Sequence, residues 1–160
     1  MAKKGVTDID KGYKKIIQSI KDLGVNGINV GIASDKINKE GVSVAQYAYW
    51  NEVGVESKDG KGWKIPPRPF MRGWADSNKE NIKQTMQSVA QAVSSGKIEA
   101  ETAVERIGQY CQDGIKSYIR RGDFTPNSPA TIEKKGSSRP LIDTGTMRNS
   151  IRYEIVRNKK

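Results

Sequence analysis

The side chains most often used in catalysis are scarce in this sequence. The chain of 160 residues contains no histidine and a single cysteine, Cys111. Without histidine it cannot assemble a Ser-His-Asp or Cys-His nucleophile or an imidazole ligand for a metal ion. A lone cysteine cannot complete a structural zinc site or an intramolecular disulfide, and this usage suits a reducing cytoplasm. Cys111 also lies on an apolar helical stripe, where we expect it to be a small buried hydrophobe.

The carboxylate of Asp143 is the clearest candidate for chemistry. Leu141 and Ile142 precede Asp143-Thr144-Gly145, an order typical of the active-site turn of aspartic proteases, in which paired carboxylates share a proton and activate water. Such an enzyme also needs a β-rich fold and a later apolar-apolar-glycine segment. The fifteen residues after Gly145 contain no glycine, and the middle of the chain has helical periodicity. We therefore interpret Asp143 or Thr144 as a helix-capping residue, and a small hydrolase ranks third among the functional alternatives.

The strong positive charge makes nucleic acid a partner to consider. The net charge is +10 and the isoelectric point is about 9.7, but the excess is spread along the chain. Residues 122–160, the most basic quarter, still carry eight Lys/Arg against four Asp/Glu. Aromatic and basic residues are interleaved over residues 47–74, a mixture that can stack single-stranded bases but is more common in cores and protein interfaces. A basic nucleic-acid-binding module is therefore the second functional hypothesis.

The first half of the chain predicts two helices and a strand. Capping and acidic residues at 7–10 open a helix whose apolar face runs to Leu23, and Gly24 ends it. Alternating apolar residues over 28–32 predict a half-buried strand. Ser43 caps a second, short helix that Gly54 closes.

The second half predicts two long helices and two further strands. A strand at 63–65 stops at two prolines, and Pro69 begins a helix that runs to 94–96. A further helix runs from about Glu99 to residues 121–122, and a last strand occupies 151–155. The fold class is therefore α+β. We expect one domain over 1–160, with two long helices and one or two short ones packed on a small antiparallel sheet of three to four strands.

Three segments, at 45–54, 65–72 and 141–151, together resemble a bacteriophage family. In order they are similar to the patterns A-x-Y-A-x-x-N/H-E-x-G, I-P-x-R-P-F and L-x-D-T-G-x-L/M-x-x-S-I. These patterns belong to tail-completion, neck and minor tail-component proteins of long-tailed phages. The resemblance covers residues 45–155. The sequence departs from these patterns in two places: the bulky pair Tyr49-Trp50 precedes Asn51-Glu52, and the loop at 55–62 is charged.

The resemblance implies a structural virion protein that is not an enzyme and has no cofactor or metal. It implies an α+β subunit, made in the host cytoplasm, that assembles with copies of itself into a ring, expected to be a hexamer. In the neck or tail this ring joins the head connector to the tail tube, where non-specific contact with packaged DNA is also conceivable. No run of 18 apolar residues exists, so no membrane span is expected. The candidate subunit-interface or motif residues are Tyr49, Trp50, Glu52, Arg68, Phe70, Arg72, Asp143, Thr144 and Arg148.

The corner around Arg68 and Phe70 is expected to be rigid. Pro66-Pro67 forces an extended backbone and Pro69 fits a helix start. Phe70 should therefore close the core beneath this corner. Two roles remain open for Arg68: it hydrogen-bonds loop carbonyls of its own subunit, or it reaches a carboxylate of a neighbour.

Two loops, at 55–62 and 122–140, are predicted to be mobile in the isolated subunit, because glycine, serine and proline dominate them and few apolar side chains anchor them. Their amide hydrogens should exchange quickly in the free protein and become protected after assembly. Hydrogen-exchange mass spectrometry on both states measures this, and strong protection in the free subunit would contradict it.

Overall fold

The computed structural model describes residues 12–33, 36–37 and 41–157, and this part of the chain confirms the α+β class. The start of the first predicted helix, at 7–10, lies outside the described residues. The helices are α1 (Tyr13–Val25), α2 (Val44–Val53), α3 (Phe70–Ser77), α4 (Lys79–Ser94), α5 (Ala100–Arg121), α6 (Pro129–Lys135) and α7 (Thr146–Asn149). The strands are β1 (Asn26–Ile32), β2 (Val55–Glu56), β3 (Trp63–Ile65) and β4 (Ile151–Arg157).

The main sheet joins the two ends of the described chain. β1 pairs antiparallel with β4, with Ile28 opposite Ile155, Val30 opposite Tyr153 and Ile32 opposite Ile151. Because side chains alternate along a strand, these residues share one face, which packs against α5. The strands predicted at 28–32 and 151–155 therefore both form, and they pair with each other.

The four strands form two sheets of two, rather than the expected single sheet of three to four strands. Among the described strands β2 pairs with β3 alone, and their register is irregular at Val55 and Glu56. β2 has two residues, and β3 stops at Pro66-Pro67, where the missing N–H groups prevent further pairing. This small hairpin therefore stays separate from the β1–β4 sheet.

The long helix predicted to start at Pro69 is two helices, α3 and α4, which meet at Asn78. There the backbone leaves helical geometry (φ −118°, ψ 12°). Asn78 Nδ2 donates to the carbonyl of Trp74 at 2.9 Å, and Ser77 Oγ donates to the carbonyl of Gly73 at 2.7 Å. Side chains that bond carbonyls one turn back compete with the helical hydrogen bonds, which accounts for the break. The other predicted long helix, α5, forms as expected.

Two of the short helices, α2 and α6, begin at serine caps. Ser43 Oγ accepts the N–H of Gln46 at 3.1 Å and starts α2, as predicted. α6 lies inside the predicted 122–140 loop and begins in the same way at Ser128. Gly145 is the N-cap of α7, and Thr144 Oγ1 accepts the N–H of Thr146 at 3.3 Å. Of the two capping candidates, it is Thr144 that makes this bond.

Two apolar clusters form the core. The larger one contains Val44, Ala48, Phe70, Trp74, Ile115, Ile119, Met147 and Ile151. The smaller one lies between α4 and α5 and contains Val89, Val93 and Ala103. Glycines on α5 allow close packing: a Cβ at Gly108 would overlap the ring of Tyr153, and one at Gly114 would overlap the indole of Trp74. α5 is therefore the element against which both β4 and α3 pack.

Replacing Gly108 with alanine should lower the free energy of unfolding by about 1–3 kcal/mol, because the new methyl group displaces the Tyr153 ring. Gly24→Ala in α1 is the matched control, since nothing lies within 4 Å of a Cβ there. The control should be neutral or stabilising, by up to about 1 kcal/mol. Chemical denaturation of both variants measures the difference, and equal stabilities would contradict this account of the packing.

Candidate functional site

The three segments that resemble the phage family meet in one place. Ala48 from the first, Phe70 from the second, and Met147 and Ile151 from the third are buried in the larger core cluster. Phe70 is 1% exposed, so the prediction that it closes the core is confirmed. We call this meeting point of α2, the start of α3 and the α7–β4 corner the motif junction.

A buried arginine holds the motif junction together. Arg68 is 6% exposed. Its Nε donates to the carbonyl of Thr125 at 2.7 Å, and its Nη2 donates to the carbonyl of Pro126 at 3.1 Å and to Asn127 Oδ1 at 3.3 Å. Its Nη1 donates to Asn51 Oδ1 at 3.1 Å. The planar guanidinium thus joins α2 to the segment that precedes α6.

The charge of Arg68 is stabilised by neutral oxygens. Among the described residues the ion pairs are Lys15–Glu99 and Lys83–Glu80, and neither involves Arg68. Burial lowers the pKa of Arg68, but a guanidinium remains protonated in proteins. Of the two roles considered from the sequence, the structure gives Arg68 hydrogen bonds to loop carbonyls of its own subunit.

Asn51 and Glu52 fix the backbone around Arg68. The carbonyl of Asn51 accepts the Arg68 N–H at 2.6 Å. The two carboxylate oxygens of Glu52 accept the N–H groups of Met71 and Arg72, each at 3.0 Å. N–H groups in the first turn of a helix have no acceptor within the helix, and the positive end of the helix dipole also attracts a negative charge there. Glu52 therefore caps α3 from a neighbouring helix.

Asn127 connects this arrangement to the residues just before the third motif segment. Its Nδ2 donates to the carbonyl of Arg139 at 3.2 Å and to that of Ser138 at 3.4 Å. Asn127 is itself buried. Leu141, two residues after Arg139, has φ 61°, a left-handed conformation that is unusual for a branched residue. The chain thus makes a constrained turn before it reaches the Asp143-Thr144-Gly145 step.

The remaining predicted site residues lie at or near the surface. Tyr49 is 63% exposed, and Arg72, Asp143 and Thr144 are also exposed. Trp50 and Arg148 are half-buried, and the Arg148 guanidinium donates to Asn149 Oδ1 at 3.1 and 3.2 Å. The structure therefore divides the predicted site into an internal set, Glu52, Arg68 and Phe70, and an outer set.

The charge of Asp143 acts on two neighbouring groups. The pKa of Tyr47 is raised by burial and further by the negative charge of Asp143. The pKa of Lys135 is lowered by burial and by the charge of Arg68, while Asp143 opposes this change. Asp143 thus interacts electrostatically with the phenol of Tyr47 and the ammonium group of Lys135 at the edge of the motif junction.

Sequence reasoning missed Asn51 and Asn127 as functional positions. Asn51 stands inside the first motif, so its place in the pattern was an available signal. Asn127 stands in a Pro/Ser-rich stretch, and nothing in its neighbours indicates that its side chain is buried against Arg68.

In comparisons with known proteins, no family model, curated protein or solved structure matches this chain. Within the described ranges, no group of three or more His, Cys, Asp or Glu residues could hold a metal ion. In the same part of the chain, no helix has the length and apolar character needed to cross a membrane.

Arg68→Ala should lower the free energy of unfolding of the isolated subunit by about 3 kcal/mol, because buried oxygens of Asn51 and Asn127 lose a charged donor. Arg72→Ala, an exposed arginine four residues on, is the control and should change it by less than about 0.5 kcal/mol. Urea unfolding of both variants is the measurement. If the two variants were equally stable, the internal role of Arg68 would be disproved.

Proposed function

We propose that this chain is a structural subunit of a tailed-phage virion, a neck or tail-completion protein that joins the head connector to the tail by forming a ring. One observation carries the proposal: the three segments that resemble this family, far apart in sequence, meet at one motif junction. A chance likeness of three short patterns gives no reason for their residues to contact one another. Here Asn51 and Glu52 of the first pattern directly bond Arg68, Met71 and Arg72 of the second.

The arrangement supports a role based on shape and contact. The polar groups of the motif junction make hydrogen bonds within the chain. The internal set (Glu52, Arg68 and Phe70) therefore holds backbone segments in position. Burial raises the pKa of Cys111, which disfavours the nucleophilic thiolate. We therefore propose a protein that has no catalytic residues and no cofactor.

The outer face of α2 is the proposed subunit contact. Tyr49 and Val53, one helical turn apart, are 63% and 38% exposed. Ala45 and Gln46 are exposed on the preceding turn. Exposed aromatic and aliphatic side chains on a rigid helix are typical of interface residues that dominate binding energy. The motif junction anchors the opposite side of α2 through Val44 and Ala48, so this face is presented in a fixed orientation.

A ring requires that face to meet a different surface on the next copy, because head-to-tail contacts join two unlike patches. We propose six copies in the ring, with the connector and the tail tube as the proteins above and below. The ring is proposed to sit in the neck or tail of the virion after synthesis in the host cytoplasm.

The Tyr49→Ala substitution should impair assembly without impairing folding, because the side chain is mostly exposed. In a phage whose own copy of the gene is deleted, the variant should reduce infectious titre on the order of 10-fold or more. The free energy of unfolding should change by less than about 0.5 kcal/mol. Tyr13→Ala, at a tyrosine that is 70% exposed but outside the motifs, is the control and should give full titre.

A cryo-electron microscopy reconstruction of the virion tests the proposal as a whole. The expected result is a ring of this chain between the head and the tail. A single copy, a position outside the neck and tail, or full titre with Tyr49→Ala would count against it.

A further inference from the structure

Three cationic side chains approach one another where α5, α7 and β4 meet. The pKa of Lys116 is lowered by burial and then by the positive charges of Arg152 and Arg148, while Asp113 opposes the change. Repulsion of this kind requires Arg148 and Arg152 each to be within electrostatic reach of Lys116. A site that gathers like charges in this way is stabilised when an anion binds to it.

A cleft of about 250 Å³ lies beside these cations. Its lining residues are Ala33, Lys36, Thr146, Asn149, Ser150 and Arg152. Among the described residues, the lining offers hydroxyl, amide, ammonium and guanidinium groups, and no carboxylate or aromatic ring. We call the cleft together with Lys116 and Arg148 the basic cleft.

Two acidic groups of the described residues lie near the basic cleft. Asp113 Oδ2 accepts a hydrogen bond from Gln109 at 2.7 Å, and Glu154 lies two residues from Arg152 on the same face of β4. Against these stand Lys116, Arg148 and Arg152, and Arg120 follows Lys116 by one helical turn. Among these described residues the cations therefore outnumber the carboxylates.

The approach to Arg152 is also open. Its partner across the β1–β4 pair is Gly31, and nothing lies within 4 Å of the position a Cβ would take there. Arg152 itself is exposed. An extended anion could thus lie against this face of the sheet without displacing a side chain of β1.

We infer that the basic cleft binds the phosphate backbone of nucleic acid without reading its sequence. Arginine, lysine, hydroxyl and amide donors are the groups that contact phosphate oxygens in protein–DNA complexes. The described lining residues of the cleft offer no ring on which a base could stack. An acidic peptide is the less favoured ligand, because Ala33 is the one apolar residue among them against which its side chains could pack. The inference does not depend on the proposed place of the chain in a virion.

The test is the salt dependence of DNA binding by a charge-removal variant and a matched control. Lys116→Gln/Arg152→Gln removes two cations of the basic cleft, whereas Lys79→Gln/Arg106→Gln removes two exposed cations elsewhere on the helices. The probe is a short fluorescent duplex DNA, with affinity measured by anisotropy between about 50 and 200 mM salt. Thermal melting of each variant verifies that it is folded.

The slope of log affinity against log salt should decrease by about 2 for the basic-cleft variant, since each lost phosphate contact removes about 0.9. Its affinity at low salt should fall on the order of 10-fold, with the same loss for duplexes of different sequence. The control variant should keep the slope of the unmodified protein.

Three results would overturn the inference. One is absence of DNA binding by the unmodified protein at low salt. Another is an equal loss in both variants, which would assign binding to the diffuse charge of the whole chain. The third is tighter binding of poly-glutamate than of DNA through the same residues, which would identify an acidic protein segment as the ligand.

Discussion

The motif junction depends on a buried positive charge that has no ionic partner among the described residues. Transferring an unpaired guanidinium from water to a protein interior costs several kcal/mol unless its N–H groups find acceptors. Arg68 finds four, from Thr125, Pro126, Asn127 and Asn51. Because these acceptors come from separate segments, the charge is satisfied only when α2, the corner before α3 and the segment before α6 are in place together. Because a buried charge without acceptors is costly, this requirement favours the one arrangement in which all three segments are in place.

This constraint separates the residues that stabilise the fold from those that remain exposed. Glu52 caps α3, Arg68 joins loop carbonyls and Phe70 fills the core. Because their polar atoms and surfaces are used internally, any assembly role they have is to hold other residues in position. Tyr49 and the basic cleft lie outside this set. A protein that works through contacts needs both parts, since a rigid surface loses less conformational entropy when it binds.

Local patterns predicted most elements, and the errors have physical causes. The cap at Ser43 and the apolar alternation over 28–32 involve residues that are close in sequence. The start of α2 and the strand β1 could therefore be predicted from local sequence. The break at Asn78 arises from side-chain bonds to carbonyls one turn back, which helical periodicity does not reveal. The separation of the two sheets and the convergence on Arg68 depend on tertiary contacts. The resemblance selected the residues of the motif junction, but their division into internal and exposed sets required the structure.

The most direct measurement of the central claim is a double-mutant cycle between Asn51 and Arg68 in the isolated subunit. Asn51→Ala, Arg68→Ala and the double variant are unfolded in urea, and the coupling free energy is calculated from the three changes. If Arg68 acts inside its own subunit through the 3.1 Å bond to Asn51 Oδ1, the coupling should be at least about 1 kcal/mol. If the two single substitutions changed the free energy of unfolding additively, to within about 0.3 kcal/mol, the account would be contradicted. Arg68 would then be available for a contact with another chain.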